Sequence, residues 1–399
     1  MKRWSRLGLV AAVAAGLAVV PACGKKDTAN ARPKVGVITN CVDPFWDLCE
    51  AGATKAAKDF DVDLVFNQPK AGDGDIQKPV IDAWVSQGFS GIAVSVIKPK
   101  EQTDDLRLVA KKTVLVTMDN DASESGRVCY VGMDNKEAGK AVGRLVKKAL
   151  PNGGTIALFI GSVTSENGQA RPAGVLAELA TPEANGTPGK HPTRPELSGK
   201  FYGKYFLVDG EPKIDDMQKE KAAANASAML SRLDGVPDVC LVGLYAYNPP
   251  TILEAVRSKS LAGKVKIVGF DENQETLKGI GAGDIEGTVV QDPYNYGYKS
   301  VEILAAEARG DKSKRGGGAV AYQVVTRDGG APQDINGQKI GFRKPDEYLG
   351  IIRDREGDPK KALDLYKRAW DRGVHPPRLR DWIDVKERMF SRGSAGGAK

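Results

Sequence analysis

Histidine is nearly absent from this sequence. Its 399 residues include two, His191 and His375, and both stand in proline-rich segments. Cysteine is also scarce, and the five that occur show none of the paired spacings that hold zinc. These shortages argue against a histidine-based nucleophilic triad and against a zinc site, so we expect no metal and no cofactor.

Signals for nucleic-acid and nucleotide binding are missing as well. The net charge of +7 comes from 58 basic and 51 acidic residues that are scattered along the chain, without a basic stripe, so we expect no nucleic-acid partner. The glycine-rich stretch "GIGAGDIEG" lacks the G-x-G-x-x-G spacing and precedes a strand instead of a helix. It therefore predicts a turn and not a phosphate-binding loop.

The N-terminus has the features of an export signal. Three basic residues precede the 14-residue apolar run "LGLVAAVAAGLAVV", which is too short to span a bilayer comfortably. The closing "VPAC" resembles a bacterial lipoprotein cleavage site, with Cys23 as the acylated residue. We predict a signal peptide over 1–22, a polar tether over 23–33, and a lipid-anchored protein in the periplasm or on the outer face of a bacterial membrane. A plain secretory signal is the alternative, and the choice between inner and outer membrane stays open.

Four cysteines remain beyond the signal: Cys41, Cys49, Cys129 and Cys240. An exported protein meets an oxidising compartment, so disulfides can form, but spacing alone does not determine their pairing. A local bridge between Cys41 and Cys49 is one option. Cys129 and Cys240 stand in strand-like segments and are expected to be buried thiols.

Short apolar runs alternate with amphipathic helical patterns from residue 34 onward. The runs "KVGVIT", "GIAVSVI" and "TVLVTM" predict buried strands, and "FWDLCEAGATKAAKDF" and "PKEQTDDLRLVAKK" predict helices among them. Continuous apolar strands joined by helices indicate parallel sheets that are covered on both faces. The strands are too numerous for one ordinary sheet, so we predict an α/β fold of two doubly wound lobes.

Two segments interrupt this alternation. Residues 181–199 are rich in proline and glycine and predict a surface insertion. The C-terminal extension, residues 344–399, contains one strong helical pattern, "DPKKALDLYKRAWDRG". Its apolar residues lead us to expect that the extension docks onto a lobe, although the sequence assigns it no function.

Polar and aromatic side chains follow the predicted strands at the point where each strand ends. In open parallel sheets, ligands bind beyond this edge. The residues concerned are Asp43, Phe45, Trp46, Asp119, Asn120, Arg171, Asn248, Asp271 and Gln291. Since six strand ends carry them, the pattern predicts a polar cleft with aromatic walls.

Such a cleft suits a carbohydrate. The apolar C–H faces of a sugar ring stack on aromatic side chains, and its hydroxyls both donate and accept hydrogen bonds. Aspartate accepts from two vicinal hydroxyls, arginine donates two N–H groups, and an amide does both. A site of this kind rejects analogues that lack a hydroxyl, because its own buried polar groups would stay unpaired.

Six motifs in order resemble a known family. They are "DPFW", "TMDND", "NGQARPAGV", "GLYAYNPPTILEAV", "KIVGFDE" and "GTVVQDPYNYG". Together they resemble the type 1 periplasmic binding proteins, in the ribose- and other sugar-binding branch of ABC importers, over roughly residues 33 to 325. The resemblance implies two Rossmann-like lobes with parallel sheets, joined by a three-crossover hinge and closing on a ligand between them.

The resemblance also implies a division of the chain. The N-terminal lobe would comprise residues 34–134 and 292–325. The C-terminal lobe would comprise residues 135–291 and 326–343, with the extension after it.

In the first lobe, the family's ring-stacking aromatics fall on Phe45 and Trp46. Asp43 stands where ribose binders usually have asparagine. The family's Asp-Arg pair after the fourth strand corresponds to Asp119 and Asn120, so one guanidinium is missing. The changed residues leave the sugar open among a pentose, a hexose and a related polyol.

In the second lobe, Arg171 matches the R-x-x-G helix start of the family. A polar contact after the third strand of the first lobe falls on Ser95 or Val96, which the sequence does not distinguish. The remaining contacts, an amide, the carboxylate of "GFD" and a hinge-side glutamine, fall on Asn248, Asp271 and Gln291.

The resemblance implies a binding protein and not an enzyme. We expect a monomeric, lipid-anchored receptor outside the cytoplasm that captures a sugar and delivers it to a membrane ABC permease. The alternative is a sugar sensor that presents its closed form to a membrane kinase or chemoreceptor. An exported enzyme is a third interpretation, whose two-carboxylate chemistry would draw on Asp43, Asp119 and Asp271.

Overall fold

A computed structural model of the chain describes residues 32–42, 44–70, 74–181 and 196–355. The predicted signal peptide, Cys23 and Asp43 lie outside these residues, as do most of the insertion at 181–199 and the extension beyond residue 355. The compact unit described below begins at Pro33.

The first lobe is built on a five-stranded parallel sheet in the order β2-β1-β3-β4-β5. Its strands are β1 (Lys34–Ile38), β2 (Asp63–Asn67), β3 (Gly91–Val94), β4 (Val114–Met118) and β5 (Cys129–Val131). The connecting helices are α1 (Pro44–Asp59), α2 (Gly74–Ser86) and α3 (Pro99–Ala110). The strands β1, β3 and β4 are almost wholly buried because helices cover both faces, which explains their continuous apolar runs.

The second lobe is built on a larger sheet, with ten strands among the described residues. Six parallel strands form most of it: β6 (Gly154–Ile160), β8 (Tyr205–Val208), β9 (Lys213–Ile214), β10 (Val239–Gly243), β11 (Val265–Phe270) and β12 (Gly287–Val290). The others, at the two edges, are β7 (Gly199–Tyr202), β13 (Gln323–Thr326), β14 (Gly330–Ile335) and β15 (Gln338–Arg343).

Helices cover this second sheet too. They are α4 (Asn135–Ala149), α5 (Glu166–Leu179), α6 (Lys219–Arg232), α7 (Asn248–Ser258), α8 (Gln274–Ala282) and α10 (Pro345–Arg355). Side chains of α4 and α5 pack in one apolar cluster, and those of α6, α7, α8 and α10 pack in a second. The helix α9 (Pro293–Ala308) instead packs with α1 in the core of the first lobe.

Three crossovers join the two lobes. The chain leaves the first sheet after β5, returns to the first lobe between β12 and α9, and leaves again between α9 and β13. The first and third crossovers pair directly, since Gly132 donates its N–H to the Gly318 carbonyl at 3.1 Å and accepts from Val320 at 2.9 Å. The predicted fold of two doubly wound lobes joined by three crossovers is therefore confirmed.

Some boundaries differ from expectation. The predicted lobe boundary at residue 325 falls inside β13, which pairs with β12 along its whole length and so belongs to the second sheet. The hairpin β14–β15 extends that sheet, although the strand β14 is too exposed to have an apolar pattern. Cys49, Cys129 and Cys240 are buried and carry free thiols in the structure. No described helix is long and apolar enough to cross a membrane.

Glycines allow the α4 and α5 backbones to approach closely, and this packing positions Arg171. A Cβ atom on Gly139 would lie 2.2 Å from the backbone oxygen of Arg171, and one on Gly174 would lie 2.1 Å from the oxygen of Lys136. Neither backbone oxygen can move without shifting a helix. The position of Arg171 along its helix thus depends on these two glycines.

We expect Gly139→Ala to lower the free energy of unfolding by about 1–3 kcal/mol, because the added methyl group overpacks the helix contact. The matched control is Gly281→Ala in α8, where a Cβ atom meets nothing within 4 Å. That change should be neutral or stabilising by up to about 1 kcal/mol. Urea denaturation of both variants measures the difference, and equal effects would contradict the packing argument.

Candidate ligand-binding site

The site lies where the carboxyl ends of the two sheets face each other. Asp119 and Asn120 follow β4, Arg171 lies in α5 after β6, and Asn248 begins α7 after β10. Asp271 and Gln291 follow β11 and β12 directly. All six of these side chains are buried. The structure thus places the predicted polar residues at the strand ends, as the sequence pattern indicates.

Asp119 and Asp271 are held in the same way, one in each lobe. Both adopt a left-handed backbone conformation, with φ of 61° and 67°. The N–H of Asp119 donates to the Val131 carbonyl at 3.0 Å, and that of Asp271 donates to Val289 at 2.7 Å. Residues other than glycine seldom adopt this conformation, because it is strained. They keep it only where contacts with the surrounding structure hold the backbone in place. The two carboxylates are therefore fixed by the neighbouring strand.

The guanidinium of Arg171 is buried in the site and held by several contacts. Its side chain is 2% exposed, and the guanidinium lies over the Phe270 ring at 3.9 Å. Nε donates to Asn135 Oδ1 at 3.0 Å, Nη1 donates to the Leu244 carbonyl at 3.0 Å, and Asp271 lies 4.0 Å from Nη1. Within the described part of the chain, Nη2 makes no hydrogen bond. The guanidinium is thus held in place with donors left for a ligand.

Gln291 connects the two lobes. Its Nε2 donates to Asp271 Oδ1 at 2.8 Å, and its Oε1 accepts from the Tyr296 hydroxyl at 3.1 Å. Asp271 belongs to the second lobe, whereas Tyr296 is buried in the core of the first lobe. The amide of Gln291 is therefore oriented by one partner from each side of the hinge.

Asn248 is engaged within the second lobe. Its Nδ2 donates to Asp215 Oδ2 at 2.9 Å, and its Oδ1 accepts from the N–H of Tyr245 at 3.1 Å. Tyr247 donates to the other oxygen of Asp215. Asp215 is a residue that the sequence pattern missed, because the strand before it, β9, is only two residues long.

The two predicted aromatics differ in their surroundings. Trp46 is 2% exposed and belongs to the core of the first lobe, where its Nε1 donates to Asn40 Oδ1 at 3.0 Å. Phe45 is half-buried, meets Trp46 edge to face at 4.9 Å, and lies 6.3 Å from the Tyr296 ring. Contact of either ring with a ligand stays a prediction.

Asn120 carries an unpaired acceptor. Its Oδ1 is buried and has no hydrogen-bond partner among the described residues. An unsatisfied buried polar atom costs about 1–3 kcal/mol, so an isolated acceptor of this kind needs an explanation. A ligand hydroxyl that donates to Oδ1 would remove that penalty.

Asp119 has a perturbed acidity. Burial raises its pKa to about 6, and the Asp271 and Glu166 carboxylates act in the same direction. Arg171 and the hydroxyl of Ser95 oppose them. The carboxyl group therefore changes its charge near neutral pH, in the range where a functional acid or base is most often tuned.

The structure also identifies residues that sequence reasoning missed or left open. Ser95 donates to Asp119 Oδ2 at 3.1 Å, while Val96 lies in an apolar cluster of the first lobe, so the polar position is Ser95. Asn135 joins Arg171 to Glu166, to which its Nδ2 donates at 2.9 Å. Asn135 begins α4 after the first crossover, where no strand end marks it.

Known proteins resemble this chain over most of its length. Residues 35–312 match the family described as a periplasmic binding protein domain. The chain is 25% identical over 311 residues to the ribose import binding protein RbsB of Salmonella typhimurium, covering 76% of this chain and 92% of that one. It is 23% identical over 287 residues to the D-allose-binding periplasmic protein of Escherichia coli, covering 69% and 84%.

A solved structure is similar as well. The ABC transporter solute-binding protein of Burkholderia graminis in complex with D-arabinose has a TM-score of 0.64 and 25% sequence identity. The match covers 74% of this chain and 96% of that one.

Proposed function

The chain belongs to the periplasmic binding protein domain family, and from this premise we propose that it captures a sugar between its two lobes and delivers it to an ABC importer. One observation carries the proposal. Buried polar groups from both lobes converge at the strand ends, and two of them, Arg171 Nη2 and Asn120 Oδ1, lack protein partners within the described residues. One is a donor and the other an acceptor, which is what a polyhydroxylated ligand requires.

The residues divide the recognition of a sugar between them. The carboxylates of Asp119 and Asp271 accept from hydroxyls on opposite sides of the ligand, and Arg171 donates to a ring or hydroxyl oxygen. Phe45, at the start of α1, is our candidate for the ring that stacks on the apolar face of the sugar. The relatives named above for ribose, D-allose and D-arabinose support a monosaccharide as the ligand class.

Binding would act through the hinge. Asp119, Asn120 and Ser95 belong to the first lobe, whereas Arg171 and Asp271 belong to the second, so each lobe alone holds part of the site. A ligand that contacts both parts favours the closed arrangement by its extra affinity for that state. The closed form is then what a membrane permease would recognise.

The proposal extends to the location of the protein and to its oligomeric state. We propose a monomeric protein that is anchored by a lipid on Cys23 and held in the periplasm or on the outer face of a bacterial membrane. We also propose that it is not an enzyme, since the arrangement explains binding without a chemical step. The sensing role stays an alternative prediction, and the neighbouring genes, permease or kinase, would distinguish it.

We expect the mature chain, residues 24–399, to show a rise in melting temperature with one class of sugar. A ligand at a hundred times its Kd adds about 2.7 kcal/mol if it binds only the folded state, which shifts the melting temperature by several degrees. The screen would include pentoses, hexoses, polyols and nucleosides. No shift from any sugar, in a sample with a cooperative melting transition, would contradict the proposed function.

A further inference from the structure

The helix α10 lies beyond the part of the chain that matches the family, which ends at residue 312. It is anchored on the second lobe, where Tyr348 and Ile352 are buried in the cluster that includes side chains of α6, α7 and α8. Arg343 of β15 pairs with Glu347 in its first turn and also donates to Gln323 of β13 at 3.1 Å. The helix is thus attached to the sheet at its start and along its apolar face.

The other contacts of α10 reach the second crossover. The Tyr348 hydroxyl donates to the Gln291 carbonyl at 3.3 Å. Arg355 donates to both carboxylate oxygens of Asp292, at 2.6 and 3.0 Å, and its guanidinium lies 5.0 Å from the centre of the Tyr294 ring. A two-point contact of this kind fixes orientation as well as distance.

The segment that α10 contacts from outside also forms part of the site. The side chain of Gln291 bonds to Asp271 and Tyr296 in the cleft. Asp292 is the N-cap of α9, with its carboxylate accepting from the Asn295 N–H at 3.1 Å. The start of α9, and with it the lobe to which α9 belongs, is therefore linked to a helix anchored on the opposite lobe.

We propose that α10 is an intramolecular brace: Tyr348 and Arg355 are positioning residues that hold the second crossover, and through it Gln291, in the ligand-binding arrangement. The inference rests on the proposed function only for the role of Gln291 as a ligand contact. The brace itself is a link between lobes, and it can be measured without any ligand.

The test compares two arginine variants of the full mature chain. Arg355→Ala removes the brace, and Arg315→Ala is the matched control, because Arg315 makes a similar two-point contact with Glu307 at the far end of α9. In the ligand-free proteins, we expect amide hydrogen exchange over residues 287–296 to become at least about tenfold faster in Arg355→Ala and to stay unchanged in Arg315→Ala. Tyr348→Phe, which keeps the buried ring, should show a smaller increase in the same segment.

A ligand measurement completes the test. For the sugar found in the melting screen, Arg355→Ala should raise the dissociation rate by about tenfold. Arg355→Lys should reduce this increase in part, since lysine keeps the charge but not the two parallel N–H donors of the guanidinium. Unchanged exchange in both Arg355→Ala and Tyr348→Phe, or equal acceleration in Arg315→Ala, would overturn the brace. If no sugar binds the wild-type protein, the proposed function fails, and the exchange data still decide the brace.

Discussion

Replacing Arg171 with alanine is expected to weaken sugar binding by at least about a hundredfold. A hydrogen bond to a charged group contributes about 1.5–3 kcal/mol, and the guanidinium has an unpaired Nη2 group that can donate two. The loss also removes a cation that lies 4.0 Å from Asp271, and thereby weakens the orientation of that carboxylate. Titration calorimetry with the sugar identified in the melting screen measures the effect.

The control for this variant is Arg232→Ala. Arg232 donates to both oxygens of Asp209 in the same lobe, at 2.7 and 2.8 Å. Asp209 follows the strand β8, so this pair has the same chemistry without belonging to the predicted site. We expect its sugar affinity to match that of the wild type. Arg171→Lys keeps the charge but loses the planar fork, and should fall between the two. An Arg171→Ala protein that folds and binds within threefold of wild type would refute the site assignment.

The local part of the site could be predicted from sequence. Asp119, Asp271 and Gln291 each follow a continuous apolar strand, and the carboxyl ends of parallel strands meet at one edge. This prediction depends only on residues that are neighbours along the chain. The same reasoning predicted the strands of the first sheet, because burial on both faces leaves an unbroken apolar run.

Residues that depend on distant partners could not be predicted in this way. Asn135 contacts Arg171 across 36 positions of sequence, and Asn248 contacts Asp215 across 33. Such pairs result from how lobes and helices pack, which no local pattern encodes. The hairpin β14–β15 differs, since its turn contains Asn336 and Gly337 with φ of 53° and 76°. Because an Asn-Gly pair favours such a turn, this hairpin could have been predicted from the sequence.

Phe45 and Trp46 show that adjacent residues of one sequence motif need not share a role. Both were predicted as ring contacts, yet successive residues of a helix point about 100° apart. The start of α1 accordingly places Trp46 in the core of the first lobe and leaves Phe45 half-buried beside Tyr296. Helical geometry, applied to the motif, favours Phe45 as the ring that faces a ligand.

Sugar affinity is expected to fall by about tenfold for each pH unit below pH 6. Burial holds the pKa of Asp119 at about 6, with Asp271 and Glu166 raising it and Arg171 and Ser95 lowering it. A carboxylate accepts from two sugar hydroxyls, whereas the protonated acid uses one of its oxygens as a donor. Below pH 6 the ligand must displace this proton, so the measured Kd rises in proportion to the proton concentration.

The variant Asp119→Asn isolates this titration. The amide has a similar shape and no charge that changes between pH 4.5 and 7.5. We expect it to bind more weakly than wild type at pH 7.5 and to show a Kd that is nearly independent of pH. Calorimetry across this range tests the assignment, and parallel pH profiles for the two proteins would exclude Asp119 as the titrating group.

The same group should affect the stability of the ligand-free protein with the opposite sign. Its pKa is about 6 in the folded protein against an ordinary value of 3.8, so the folded state holds the proton more tightly. The contribution of Asp119 to the free energy of unfolding is therefore fully present below pH 3.8 and is lost as the pH rises through 6. Ligand-free wild type should thus lose stability relative to Asp119→Asn between pH 4 and 7, while its sugar affinity increases. A buried carboxylate explains both trends, because its charge is poorly solvated in the ligand-free protein and accepts hydrogen bonds from the hydroxyls of a bound sugar.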